Sequence, residues 1–258
     1  MELNGYKIIV TGSARGMGAA TVRSYVAAGA RVVGMDVDRE SGERVAAAAT
    51  EAGPGSAAFM TVDIADPESV TRAFDAAAEQ LGGLDVLAHP AAIQRSGDAS
   101  SVTPEDWDVM MAVNVRGTML TNQAAHRLMA RNGRGSVINF GSVSGLRAEP
   151  GAPAYSASKG AVHSWTRTAA AAWGADGVRV NAILPAIATP MYEEALGRLD
   201  EDGMTAHFWQ NEQSIALGQK YGDPDRDLGP VMVFLASEAS RFITGQLIPV
   251  DGGQTSVR

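Results

Sequence analysis

Residues 6–36, YKIIVTGSARGMGAATVRSYVAAGARVVGMD, are the stretch whose reading decides the fold. Tyr6 to Thr11 is a short run rich in Ile and Val that does not alternate strictly, as expected of a strand covered on both faces. A turn with glycines at Gly12, Gly16 and Gly18 follows, then an alanine-rich helical stretch from Ala19 to Ala28. A second strand is expected from Arg31 to Asp36. Glycines at this spacing let the backbone turn tightly and approach a pyrophosphate without an intervening Cβ. The helix behind them offers free N–H groups and a positive dipole end to that phosphate.

Asp36 closes the second strand 18 residues after Gly18. A carboxylate there accepts hydrogen bonds from both hydroxyls of an adenosine ribose and repels a 2′-phosphate. Arg15 argues the other way, because a guanidinium in the turn favours a 2′-phosphate. The carboxylate's repulsion would be direct, so the expected cofactor is NAD, with NADP as the second choice.

The rhythm continues along the chain. Further strands are expected at Ala57 to Asp63, Leu84 to His89, Ser136 to Gly141, Val178 to Leu184 and Leu247 to Val250. Helical stretches intervene at Ser41–Glu51 and Ser69–Leu81, and Asp66-Pro67 and Thr103-Pro104 are N-cap-then-proline helix starts. Strict β-α alternation implies right-handed crossovers and an α/β fold, a doubly wound parallel sheet of Rossmann type. No linker or repeat interrupts it, so residues 1–258 are expected to form a single domain. The rhythm breaks only from Ala186 to about Asp227, after strand six, where a long segment of mixed polarity is expected to act as a substrate lid.

Composition narrows the function. The formal charge is −8, from 21 basic and 29 acidic residues, which repels phosphate backbones and anionic lipid heads. Neither nucleic acid nor a membrane is expected as a partner. The absence of cysteine removes thiolate nucleophiles, disulfides and zinc–thiolate sites and suits a reducing cytoplasm. No metal site is expected. The N-terminal residues lack a basic segment followed by an apolar one, so no signal peptide is expected.

Chemistry enters with Tyr155-Ser156-Ala157-Ser158-Lys159. Residues four apart share a helix face, so this spacing sets an ammonium beside a phenol. A nearby cation favours phenolate, and lowering a phenol pKa by ~3 units takes roughly 4 kcal/mol of differential interaction.

Taken together, these pieces resemble the short-chain dehydrogenase/reductase family over essentially the whole chain. The matching residues are Thr11-Gly12-x-x-x-Gly16-x-Gly18, Asp63-Ile64, Asn114, Gly141-Ser142, Tyr155-x-x-x-Lys159, Arg179-Val180-Asn181-Ala182 with Pro185, Thr244-Gly245 and Val250-Asp251-Gly252-Gly253. The resemblance implies that Tyr155 exchanges a proton with the substrate oxygen while hydride passes to or from a nicotinamide. Lys159 would lower the Tyr155 pKa and bond the nicotinamide ribose, and Ser142 would share the charge on the substrate oxygen. Asn114 would hold a water linking Lys159 to solvent. Asp63 and Ile64 would contact adenine, and Thr189 and the backbone near Pro185 the carboxamide. Together with Gly12, Arg15, Gly16, Met17, Gly18, Asp36 and Ala91, these residues make up the expected cofactor site, which Tyr155 and Lys159 also touch. A homotetramer or homodimer is implied, built through the long helices around Asn114 and Tyr155 and through the C-terminal strand region.

Two departures stand out. His89-Pro90-Ala91-Ala92 replaces the family's usual Asn-Asn-Ala-Gly, removing amides that tie strands together. His89 is a candidate to replace one of those bonds, and Pro90 offers no backbone donor. Pro185-Ala186 replaces Pro-Gly and adds a methyl near the nicotinamide. Both bear on cofactor affinity rather than on reaction type.

Between Met191 and Asp227 the lid has nine acidic and three basic residues, which would repel an acyl carrier protein or a coenzyme A ester. Met191, Tyr192, Phe208 and Trp209 either cover an apolar neutral substrate or anchor the lid. Trp107, Met110 and Met111 are read as core or interface packing, while Gln94 and Arg147 are loop residues within possible reach of the cleft. The expected activity is NAD-dependent interconversion of a secondary alcohol and a ketone on a neutral, apolar or cyclic small molecule. The alternatives are an NADPH-dependent ketone or 3-oxoacyl reductase and a non-enzymatic NAD-binding scaffold or sensor.

Overall fold

The computed structural model describes residues 2–255, apart from the side chains of Met191, Ala195 and Gln210. The Met191 side chain, expected in the lid, therefore lies outside the described set. Seven strands form one sheet: β1 Lys7–Thr11, β2 Arg31–Asp36, β3 Ser56–Thr61, β4 Val86–His89, β5 Gly135–Phe140, β6 Val178–Pro185 and β7 Leu247–Val250. Their order is β3-β2-β1-β4-β5-β6-β7, and every pairing is parallel. This is the doubly wound arrangement the sequence implied.

Six helices flank the sheet up to β6: α1 Gly16–Ala27, α2 Arg39–Ala52, α3 Pro67–Leu81, α4 Pro104–Met110, α5 Gly117–Met129 and α6 Pro153–Trp173. The two expected proline starts are capped as anticipated. The Asp66 carboxylate accepts from Glu68 N at 3.0 Å, and Thr103 Oγ1 from Asp106 N at 3.1 Å. Between α4 and α5 the chain widens into a π-helical segment, Met111–Arg116, which carries Asn114.

Successive residues of a strand point to opposite faces, and each face has its own core. Ile8 and Val10 pack with Val22, Tyr25, Met232 and Leu235 on one side. Ile9 and Leu87 pack with Phe74, Leu81 and Met129 on the other. Both clusters are fully or almost fully buried, and each such side chain contributes about 1.5–3 kcal/mol by leaving water. Burial on both faces explains why the strands read as continuous Val/Ile runs.

The chain winds from β1 outward to β3, then returns to the other side of β1 as β4. Such a reversal opens a crevice at the carboxyl ends of the central strands. The segment after β6, expected as one irregular excursion, is largely helical. It contains α7 Pro190–Leu196, α8 Glu201–His207 and π-helical turns at Phe208–Glu212 and Pro224–Leu228, before α9 Gly229–Ala236. These elements are five to eight residues long, too short for a 3.6-residue period to show. Among the described residues no helix is long and apolar enough to cross a membrane.

Candidate active site

At the carboxyl ends of β1, β2 and β4 lies a cavity of about 330 Å³. Its wall contains Gly12, Arg15, Gly16, Met17, Gly18, Asp36, Asp63, Ile64, Ala91 and Thr189, all named from sequence as cofactor residues. Tyr155, Lys159 and Pro185, expected at the same cofactor, are not in that wall. Pro90 and Ala92, singled out as departures bearing on cofactor affinity, also line the cavity, whereas Met35, Val37, Val62, Ile93, Val113 and Pro190 carry no such mark in the sequence. Most are apolar residues next to a named one, and their only signal was proximity to a strand end.

The turn is open only because of its glycines. Gly12 has φ +61°, and a Cβ on it would stand 2.7 Å from Ala91 Cα. A Cβ on Gly18 would collide with the Gly12 carbonyl oxygen. The first turn of α1 has no acidic residue and no side-chain cap, leaving its N–H groups for an anion. This cradle fits the diphosphate of a dinucleotide. Asp36 is held rigidly beside it, accepting from Ala14 N through Oδ2 and from Asp38 N through Oδ1, both at 3.1 Å.

The four expected catalytic residues converge from three elements. Lys159, 4% exposed, donates from Nζ to the Phe140 carbonyl at the end of β5, at 2.8 Å. One turn earlier on α6 the Tyr155 ring centroid lies 5.5 Å from that ammonium. Ser142, two residues past Phe140, accepts from Ser144 N through Oγ at 3.1 Å and lies against the phenol. Asn114 is 1% exposed and its amide clamps Ile93, accepting from Ile93 N and donating to Ile93 O, both at 2.8 Å. It also donates to Ser158 Oγ at 3.1 Å, while its main-chain carbonyl accepts from Thr118 Oγ1. The Asn114 side chain thus fixes the loop that lines the cofactor cavity, a role its position in a helix did not suggest.

The electrostatics differ from the sequence expectation. Burial raises the Tyr155 phenol above its ordinary value, with the Ser142 hydroxyl pulling the other way. Lys159 is directed at a carbonyl rather than at the phenol oxygen, so the anticipated lowering by Lys159 does not prevail in this arrangement. Burial also pushes the Lys159 ammonium down to about 8.

The departure at His89 is accommodated by hydrogen bonding. Its Nδ1 lies 2.7 Å from Thr11 Oγ1 on β1 and 3.2 Å from Thr121 Oγ1 on α5. His89 is 2% exposed, and Nε2 has no partner among the described residues. Burial, and secondarily the charge of Lys159, push the imidazole down to about 3. It therefore ties elements together as a neutral ring, in the place where the family's asparagine would stand. Ala186, the other departure, is 5% exposed and accepts from Gly222 N while donating to Val250 O. Its backbone couples the lid to β7.

In the lid, Tyr192 Oη lies 2.6 Å from Glu212 Oε1 and 2.8 Å from His207 Nε2, and the Tyr192 ring packs against Tyr221 at 4.6 Å between centroids. Phe208 packs edge-on against Trp209, whose side belongs to solvent at 63% exposure. Met110 is core at 1% exposure, while Trp107 is 42% exposed. Gln94 and Arg147 are exposed, and Arg147 acts electrostatically on Tyr221.

A parallel seven-stranded sheet, a glycine-lined dinucleotide cradle and a Ser–Tyr–Lys cluster beside it define a nicotinamide-dependent oxidoreductase of one well-populated class. The family described as enoyl-(acyl carrier protein) reductase matches residues 12–255. The short-chain reductase protein NovJ of Streptomyces niveus is 38% identical over 249 residues, covering 95% of this chain and 92% of its own. Galactitol 2-dehydrogenase (L-tagatose-forming) of Cereibacter sphaeroides is 36% identical, covering 98% and 96%. The structure of a short-chain type dehydrogenase/reductase from Mycobacterium ulcerans superposes with a TM-score of 0.91 at 29% identity, over 98% of this chain and 91% of that one. The chain belongs to the short-chain dehydrogenase/reductase family. It is an oxidoreductase acting between alcohols and carbonyl compounds with NAD(H) or NADP(H).

Proposed function

We propose that this protein is an NAD-dependent dehydrogenase that interconverts a secondary alcohol and a ketone on a small neutral molecule, cyclic or otherwise apolar around the reacting carbon. The observation that carries the choice of cofactor is the Asp36 carboxylate, pinned by two backbone N–H groups in the cavity wall. A 2′-phosphate there would meet a fixed negative charge that cannot turn away. Arg15 shares the wall and favours the NADP reading.

A dinucleotide held by the Gly12–Gly18 turn, Asp36 and Thr189 would supply a nicotinamide as hydride acceptor for oxidation of the carbinol carbon and as hydride donor for reduction of the carbonyl carbon. Tyr155 Oη would take or give the matching proton at the substrate oxygen, and Ser142 Oγ would hydrogen-bond that oxygen as its charge develops. Lys159 would supply positive charge near the phenolate when the proton has left. Asn114 would hold the Ile93 loop against the cofactor. Because burial raises the phenol, oxidation should accelerate toward alkaline pH and reduction should be favoured at lower pH.

The acidic lid supports a neutral substrate over an acyl carrier protein or coenzyme A ester. The helices α4, α5 and α6 border an apolar surface groove of about 830 Å³ containing Met111, Val115, Met119 and Trp165. This supports assembly as a homodimer or homotetramer across that face, and the cysteine-free composition supports a cytoplasmic location.

The test is an absorbance assay at about 340 nm with NAD or NADP against a panel of neutral secondary alcohols, diols and cyclic alcohols. Turnover with NAD at a kcat/KM at least about tenfold above that with NADP is expected. Preference for NADP would assign the cofactor choice to Arg15 instead.

A further inference from the structure

We infer that His163 is a positioning residue for this reaction, holding Ser142 in place by accepting a hydrogen bond from its backbone N–H. The inference rests on the dehydrogenase reading above.

Tyr155, Lys159 and His163 are spaced four apart on α6, so all three lie along one face of that helix. Two of them grip the same short stretch at the exit of β5. Lys159 Nζ donates to Phe140 O at 2.8 Å, and His163 Nε2 receives Ser142 N at 3.3 Å. Gly141, between these two anchor points, leaves its strand by donating to Ile183 O at 2.8 Å. Beyond it the Ser142 N–H has no strand partner, and the imidazole is what satisfies it.

The chain around the ring is shaped to admit it. A Cβ on Gly141 would stand 2.5 Å from His163 Nε2, and a Cβ on Gly145 would stand 2.7 Å from His163 Cε1. Neither glycine has positive φ, so close approach of the ring, not backbone conformation, demands them. The ring is 1% exposed, out of reach of solvent as well as of substrate.

The contact fixes the tautomer. To accept from Ser142 N, Nε2 must carry a lone pair, so the proton sits on Nδ1, which itself meets no hydrogen-bond partner among the described residues. Burial, then the charges of Lys159 and Arg167, push this imidazole down to about 4 against a smaller lifting effect of the Gly145 carbonyl. It therefore stays a neutral acceptor at working pH. With its N–H held from behind, the Ser142 backbone presents Oγ toward Ser144 N and the Tyr155 phenol, where a shift of a fraction of an ångström would misplace the donor to the substrate oxygen.

Two measurements test this. Imidazole ¹⁵N chemical shifts of the wild-type protein should show His163 neutral with the proton on Nδ1. A proton on Nε2 overturns the hydrogen bond, and this readout needs neither a variant nor turnover. His163→Leu should lower kcat about tenfold to a hundredfold while Kd for NAD stays within about twofold. His163→Gln, whose amide oxygen can occupy the Nε2 position, should restore kcat to within about threefold of wild type. Full kcat in the leucine variant, or equal losses in both folded variants, overturns a positioning role. If neither variant folds, the wild-type tautomer decides. A wild type inert on every alcohol and ketone overturns the dehydrogenase reading itself, and the tautomer measurement separates that failure from failure of the His163–Ser142 contact.

Discussion

The dinucleotide wall is made of backbone and glycine fixed to buried central strands, whereas the segment spanning residues 186–227 is made of short helical turns capped by their own side chains. In the wall, Gly18 leaves no room for a Cβ, and Asp36 is bonded to the backbone on both oxygens. In the lid, Asp200 caps α8 by accepting from Gly203 N, and Asp223 caps the turn Pro224–Leu228 through Asp225 N and Arg226 N. A polar chain from His207 through Tyr192 to Glu212 joins its helices. The wall reads a constant ligand, so its shape is set by atoms every residue shares. Under the proposed function the lid would read the substrate, with its specificity written in replaceable side chains.

In the proposed reaction both regions would serve the Tyr155 phenol, and removing it should have the largest effect. Tyr155→Phe is expected to lower kcat by about a thousandfold while Kd for NAD, read by fluorescence titration, changes by less than about twofold. A variant running at full rate would sink the proton-transfer role. Next in size, Gly18→Val should weaken NAD binding by at least about tenfold through collision with the Gly12 carbonyl. Unchanged affinity would mean that the diphosphate lies elsewhere.

At the end of β4, beside the dinucleotide wall, the buried His89 ring has an acid sensitivity of its own. His89 titrates near 3 in the fold and about 6.5 unfolded, so below that ordinary value the unfolded chain takes up the proton first. Its contribution to stability is complete above about pH 6.5 and falls away as pH drops toward 3. At pH 5 the loss is about 2 kcal/mol. His89→Asn should reduce the stability difference between about pH 7.5 and pH 5 by that amount, measured by urea unfolding at both values. An identical pH dependence in variant and wild type would show that His89 is not buried as a neutral ring. The smallest effect is expected in the lid. Tyr192→Phe breaks the bonds to His207 and Glu212, and KM for the alcohol should rise about two- to fivefold with NAD affinity unchanged. A change in NAD affinity instead would mean that lid and wall act as one unit.

Much of the wall was legible in the chain because its signals are local. Gly12 follows the first strand, Gly16 and Gly18 open the first helix, and Asp36 falls at a strand end, all within one β-α-β unit. The apolar neighbours Val62, Ile93 and Val113 carry no such mark, since a residue lining a cavity and one filling a core look alike in sequence. The lid was read as an irregular excursion because α7 and α8 have seven residues each. Trp209, one candidate cover for substrate, is mostly in solvent, a fact its side-chain chemistry does not reveal.

By itself the sequence determined the order of strands and helices, the phosphate turn and the spacing of Tyr155 and Lys159, because backbone sterics and side-chain periodicity act within a few residues. Only the tertiary structure decided what those side chains meet. The Asn114 amide clamps Ile93, 21 residues away, and His89 joins Thr11 across 78 residues. His163 reaches the N–H of Ser142, and Lys159 turns to the Phe140 carbonyl instead of the phenol. Those partners are set by which strands the sheet places side by side, and burial there then moves the Tyr155 phenol against the direction its neighbour alone would suggest.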